Sequence, residues 1–256
     1  QQISREPEIR ALFKAGPGKK LVLADYSGIE MRIMAQLSKD KTLIKAFKDG
    51  VDIHKFTASR ISGKPLDKVS KDERQAAKAV GFGMIYGMSS QTLKLYAETS
   101  YGVVMTEEEA RKSREGFFKA YPGIEKWHQK QTALVSEKNF KEYWTYRPEK
   151  GFICEKRPQV RTLGGRLRVW PVTHQARMSR AGQAESGLKK VGPVTELFNT
   201  PDQGTGADMI KLAMIYLYQE LYSRQWADVR LIGCVHDELI LEAPEEKAEE
   251  TEKLLV

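Results

Sequence analysis

Cysteine is scarce: Cys154 and Cys234 are the only two in 256 residues. Their spacing fits no metal-ligand pattern and no disulfide framework, so a reducing, intracellular setting is expected. Long apolar runs are missing as well. No stretch approaches the roughly 18 residues that span a bilayer, so no membrane partner is expected. The opening QQISREPEIR is no signal peptide. Internal repeats and low-complexity linkers are also lacking, which excludes solenoids and loosely tethered arrays.

What remains is a globular composition. Hydrophobic residues make up 41% and charged residues 30%, enough apolar material for one large or two ordinary domains. The net charge of +8, from 42 Lys and Arg against 34 Asp and Glu, suits a polyanionic partner without demanding one.

Along the chain, KKLVLADYS (residues 19–27) reads as a short buried strand, and IEMRIMAQLSKD (29–40) follows with helical spacing. From Asp40 to about Phe140 the pattern is mostly helical. Thr106 and Glu109 form a capping-box signature at the start of TEEEARKSREGFFKAY, and Pro122-Gly123 restarts a helix through residue 138. Aromatics, glycines and prolines over residues 140–172 predict hairpins and loops. ARMSRAGQAESGLKK (176–190) and residues 203–224 predict helices. LIGCVHDELILEAP (231–244) predicts a hairpin, and EEKAEETEKLLV (245–256) a closing helix. Strands near both ends with helices between them predict an α+β fold, a sheet carrying a large inserted helical subdomain. The last helix has no cap, which suggests a fragment.

Four constellations carry candidate chemistry. Asp25 ends an apolar strand, with Glu30 in the element that follows. A carboxylate at a strand end suits a hard cation such as Mg²⁺, although it also suits a turn or cap. In RQAAKAVGFGMIYG, Arg74, Lys78, Phe82 and Tyr86 recur every four residues and so climb one broad helix face, cations first and aromatics second. Phosphate favours the former and a base the latter. Ala76, Ala77, Val80 and Ile85 supply a separate packing face. Gly81, Gly83 and Gly87 each cost about 1 kcal/mol in a helix, which implies a close approach. In NTPDQGTGADMIKLAM, Asn199 and Gln203 read as helix-start caps or as amides facing minor-groove acceptors. Arg166 and Arg168 read as surface arginines. Last, His236, Asp237 and Glu238 stand at a tight turn between apolar strands. Asp237 suits a turn, but Glu238 beside it would repel it, so a counter-charge is expected there. Two strand-end carboxylates, a cationic-aromatic helix and minor-groove amides together suit phosphoryl transfer by two metals.

LADYSGIEMRIMAQLS, RQAAKAVGFGMIYG and VHDE resemble motifs A, B and C of the family A DNA polymerases, and TLGGRLR and QGTGADMIKLAM resemble flanking segments in the right order. The resemblance covers essentially the whole chain. It implies an antiparallel-sheet palm with inserted helical fingers: palm over residues 1–39 and 191–256, fingers over 40–190. It implies addition of deoxynucleotides to a primer on a DNA template, in replication or repair. Asp25 and Asp237, with the Tyr26 carbonyl, would hold two Mg²⁺ ions, supported by Glu238. Arg74, Lys78 and His54 would meet the triphosphate, and Lys78 would also protonate the leaving pyrophosphate. Phe82 and Tyr86 would lie by the sugar and base. Phe at position 82, where the alternative is Tyr, implies discrimination against dideoxynucleotides. Glu30 with Tyr86 would exclude a 2′-hydroxyl. Arg32, Gln203 and His236, with Asn199 and Arg166, would contact primer–template. Gly28, Gly81 and Cys234 depart from the family pattern, and the link over residues 141–159 is longer than usual, which predicts an added hairpin. No thumb segment and no exonuclease acid cluster is seen, so the fragment alone is expected to bind and extend DNA weakly. Two other readings stay open, a non-catalytic DNA-binding relic and a metal-dependent nuclease.

Overall fold

The computed structural model describes residues 7–134, 139–170, 173–178, 184–190 and 194–255. It opens with α1 (Pro7–Arg10), β1 (Lys19–Asp25) and α2 (Ile29–Ser38). A helical run follows: α3 (Lys41–Lys48), α4 (Ile53–Ser62), α5 (Lys71–Ile85), α6 (Ser90–Tyr101), α7 (Glu107–Ala120) and α8 (Pro122–Leu134). Then come β2 (Lys141–Arg147), β3 (Gly151–Arg157), β4 (Gln159–Arg161), β5 (Leu167–Val169), β6 (Thr173–Met178) and β7 (Ala184–Lys190). The chain closes with α9 (Val194–Ser223), β8 (Arg230–Val235), β9 (Glu238–Pro244) and α10 (Ala248–Leu255). This is the expected α+β class. No helix among the described residues is long and apolar enough to cross a membrane.

The chain divides into two compact units, residues 1–29 with 206–256, and residues 30–205. In the first, β1, β9 and β8 form an antiparallel sheet in that order. Strict alternation along β9 buries Leu239, Leu241 and Ala243, which pack with Val22, Leu217, Leu221 and Val229. β1 was expected to be buried throughout, but only Val22 is; Leu23 is 53% exposed. It is paired with Ile240, on the sheet face opposite Val22 and Leu241. One-sided burial is the ordinary state of an antiparallel sheet.

The second unit is built on helices α3 to α8, where Leu43, Met84, Phe117, Tyr121 and Ile124 are fully buried. Thr106 and Glu109 make the expected reciprocal cap of α7. Ser70 and Glu73 do the same for α5. α8 begins at Pro122 as expected; its predicted last residues, 135–138, lie outside the described ones. The long link forms the β2–β3 hairpin, with Tyr146 opposite Phe152.

Two expectations change. The helix expected over residues 176–190 is replaced, in its described residues, by strands: β6 and β7 pair antiparallel, Thr173 opposite Lys190, and 179–183 lie outside the described residues. Gly187 disfavours helix, and the described residues there include few large apolar ones to form a helical face. α9 starts at Val194, not near Gln203, and runs through Pro201. Leu197 and Phe198 are 1% and 3% exposed, and that burial outweighs the lost helix bond at the proline.

Candidate functional site

Asp25 is the last residue of β1, and Glu238, the first of β9, is its partner in the ladder. The backbone N–H of Tyr26 donates to the Asp237 carbonyl at 3.2 Å, so the strand end is stitched to the turn. Val235 pairs with Glu238, which leaves only His236 and Asp237 in the loop. Such a tight reversal favours a positive φ, and His236 adopts one of +56° although it is not glycine. The Cys234 thiol lies 3.9 Å from the His236 carbonyl. Asp25, Asp237 and Glu238 are thereby held at one end of the sheet.

The electrostatics follow from that crowding. Partial burial, then the charges of Asp237 and Glu238, and then contact with the Asp237 carboxyl raise the Asp25 pKa above the usual carboxylate range. Two touching carboxyls need either a proton or a cation between them. Among the described residues, no group of three or more His, Cys, Asp or Glu is arranged to hold a metal. The donor set at this sheet end is hard oxygen, a pair of carboxylates, which suits Mg²⁺ better than a soft metal.

The other candidate groups lie in the unit of residues 30–205. Along α5, Ala77, Val80, Met84 and Ile85 are buried, while Ala76 is only half-buried. That fixes Arg74, Lys78 and Phe82 on the outer, half-exposed side. Arg74 Nε donates to Asp52 Oδ2 at 2.7 Å. Asp52 also caps α4 by accepting from the His54 and Lys55 N–H groups. Burial opposes its charge, but the Lys55 N–H and Arg74 together hold its pKa low. The His54 ring lies 5.8 Å from that of Phe82, centroid to centroid. Burial, then the positive charges of Lys78 and Arg74, push His54 down to about 4 against the pull of Asp52. Arg74, Lys78, His54 and Phe82 therefore do form one cluster, with His54 neutral near pH 7 and the local field positive.

Tyr86 ends α5. Its hydroxyl donates to Glu30 Oε1 at 2.7 Å. Gln203 Nε2 donates to the Tyr86 oxygen at 3.1 Å and reaches Glu30 Oε1 at 3.5 Å. Burial first, then the charges of Asp202 and Glu30, raise the Tyr86 pKa, so it stays a phenol. Gln203, which the sequence set apart from this pair, is bonded to both members.

The remaining candidates are dispersed. Arg32 lies over the Phe47 ring, 4.7 Å from its centroid. Arg166, after Gly165 (φ +87°), donates through Nη2 to the Gly204 carbonyl at 2.8 Å. Arg168 pairs with Glu196 and stacks over Trp170 at 5.0 Å. Asn199 lies inside α9, not at its cap, with its amide oxygen buried and without a partner among the described residues.

The glycines answer two questions. Gly28 has φ +62° between β1 and α2, a conformation that residues with a side chain rarely adopt. The close approaches expected around α5 occur at two of three positions. A Cβ on Gly83 would sit 2.7 Å from Leu93, and one on Gly87 2.5 Å from the Phe198 ring, whereas Gly81 meets only Met31 at 3.9 Å.

Nothing in the sequence singles out Asp52 or Asp202. Asp52 had a visible cap position, but its bond to Arg74 spans 22 residues. Asp202 reads as one more polar residue at a helix start, yet it is fully buried.

A model of DNA polymerase family A matches residues 1–256. DNA polymerase I of Aquifex aeolicus is 36% identical over 255 residues, all of this chain and 37% of that protein. The thermostable DNA polymerase I of Thermus aquaticus is 37% identical over 248 residues, 96% of this chain and 25% of that protein. Among solved structures, the POL domain of Pol1 from M. smegmatis, in complex with DNA primer-template and dNTP, superposes with a TM-score of 0.74 at 30% identity. The match covers 98% of this chain and 39% of that one. The chain thus spans between a quarter and two fifths of the length of these relatives.

Proposed function

Because the chain belongs to DNA polymerase family A, we propose that it is the catalytic part of a template-directed DNA polymerase. It adds deoxynucleotides from dNTPs to a primer 3′-hydroxyl and releases pyrophosphate. The observation that carries this reading is the apposition of Asp25 with Asp237 at one end of the β1–β9–β8 sheet. Palm chemistry would fall to residues 1–39 and 191–256, and fingers chemistry to residues 40–190.

Asp25 and Asp237, with the Tyr26 carbonyl, would hold two Mg²⁺ ions, and Glu238 supports them. When bound, such ions activate the attacking hydroxyl and neutralise the leaving group. The chain's own residues do the rest. Arg74 and Lys78 bind the triphosphate by charge, and His54, kept neutral, donates a hydrogen bond there without adding repulsion. Lys78 supplies the proton to pyrophosphate. Phe82 stacks beside the incoming sugar and base, and Glu30 held by Tyr86 leaves no room for a 2′-hydroxyl. Arg32, Gln203, His236, Asn199 and Arg166 contact primer–template.

The test is primer extension by the protein carrying this chain. Asp237→Asn is expected to lower the rate by about 1,000-fold or more, the scale of several kcal/mol of charge stabilisation. Extension at the native rate sinks the metal role. Degradation of DNA without dNTPs points to a nuclease instead.

A further inference from the structure

Asp202 stands beside Gln203 on α9 and is 0% exposed. Among the described residues, neither of its carboxyl oxygens has a hydrogen-bond partner. The ionisable groups that face it are Glu30, from α2, and Tyr86, from the end of α5. Arg166, from the β4–β5 loop, reaches α9 at the Gly204 carbonyl. A buried carboxylate with no donor, next to a second carboxylate, has two separate reasons to keep a proton. Burial first, and then the Glu30 charge, raise its pKa well above the ordinary value. Glu30, the second carboxylate, accepts hydrogen bonds from Tyr86 and Gln203, donors that Asp202 lacks among the described residues.

We propose that Asp202, buried beside Gln203 with no hydrogen-bond donor among the described residues, is a positioning residue: kept uncharged, it leaves the Glu30 carboxylate undisturbed against Tyr86 and thereby sets selection of the nucleotide sugar. This rests on the reading of Glu30 and Tyr86 as the sugar-selecting pair. Its physical content is a coupling. When Asp202 loses its proton, a second anion faces Glu30, the Glu30–Tyr86 contact is pushed apart, and space opens where a 2′-hydroxyl was excluded. Sugar selection then weakens at alkaline pH, through a residue that touches no substrate.

The experiment measures the ratio of dNTP to rNTP incorporation by the protein carrying this chain, from about pH 6.5 to about pH 9.5. The native ratio is expected to fall at least about 5-fold across that range, under 1 kcal/mol of lost discrimination being enough for such a change. Asp202→Asn, which mimics the protonated acid, keeps the neutral-pH ratio and abolishes the slope. Asp202→Ala, which also carries no charge, likewise shows no slope. A merely structural role would lower incorporation of both sugars alike and leave the ratio flat. A native ratio that does not change with pH, or an Asn variant that falls in parallel, overturns the proposal.

A second measurement is independent of activity. The raised pKa means that the stability owed to the proton is fully present below the unfolded-state value and is lost as pH rises through the folded-state one. The melting temperature of Asp202→Asn relative to native should therefore climb as pH rises. No such climb also overturns the proposal. Glu30→Ala tells the two readings apart: if it leaves sugar selection unchanged, the sugar-selecting role of Glu30 fails, and Asp202 falls with it while its stability slope survives.

Discussion

Burial pushes the imidazole of His128 down to about 4, and the nearby Arg114 adds to this. Its Nε2–H donates to the Ile85 carbonyl at 3.0 Å, and its ring stacks on Phe198 with centroids 4.0 Å apart. In the unfolded chain the same group titrates near 6.5. Between those values the unfolded state binds a proton that the native state refuses. The stabilisation is complete above the higher value and lost as pH falls towards the lower one. His128→Gln is therefore expected to be less stable than native at about pH 7.5. The gap should narrow by up to roughly 3 kcal/mol by about pH 4, read from urea midpoints at each pH. A gap that stays constant would show that burial of a neutral ring is not what His128 contributes. At this scale the sequence was most legible where a residue's role comes from its immediate neighbours. Asp25 and Asp237 could be picked because a strand end and a tight turn are local patterns. His128 and Asp202 could not, because what makes them unusual is burial by segments far away in sequence.

Helix ends show the same division between local and distant causes. The caps at Thr106 and Ser70 each need only a glutamate three residues on, and such a pattern is visible in the sequence. Asp40 does something a local pattern cannot reveal. One oxygen accepts from the Leu43 N–H at the start of α3, and the other from the Gly123 N–H at the start of α8, 83 residues away. One buried carboxylate thus caps two helices. Gly123 is required by that closeness, since a Cβ there would sit 2.8 Å from the Cα of Asp40. Gly123→Ala is expected to cost about 1–3 kcal/mol, the usual penalty for overpacking, seen as a lower urea midpoint at unchanged m-value. An unshifted midpoint would mean that the two helices part without cost. Where the sequence misled, at the start of α9 proline gave the local signal and burial gave the answer, and over 176–190 the helical reading passed over Gly187 where strand pairing prevails.

The two units differ in how much core each owns. Residues 30–205 enclose a large one that includes Met31, Met34, Leu93, Phe117, Tyr121 and Trp127. Residues 1–29 and 206–256 enclose a smaller one around Val22, Leu217, Leu221, Leu239 and Leu241. Opening free energies follow buried apolar contact, so amides of the edge strands β1 and β8 should exchange with solvent faster than those of α5 and α7. Hydrogen-exchange mass spectrometry of native protein would test this, and equal protection would refute the inequality. The α+β class and the helical run were legible here, because period and order suffice for both. The points at which contacts divide the chain fall within α2 and within α9, where no shift in composition marks them. The expected palm and fingers boundaries were drawn from loops and from family resemblance.

One backbone angle bears on how this protein can change. His236 holds a left-handed φ in a two-residue loop where glycine or asparagine would sit with less strain. Folding and the proposed primer contact therefore pull that position two ways. A library randomised at residue 236 and sorted only for folded protein should drift towards glycine and asparagine. The same library sorted for primer extension should return to histidine. The distance between the two outcomes measures how far this loop has been shaped by what it touches and not by how it folds.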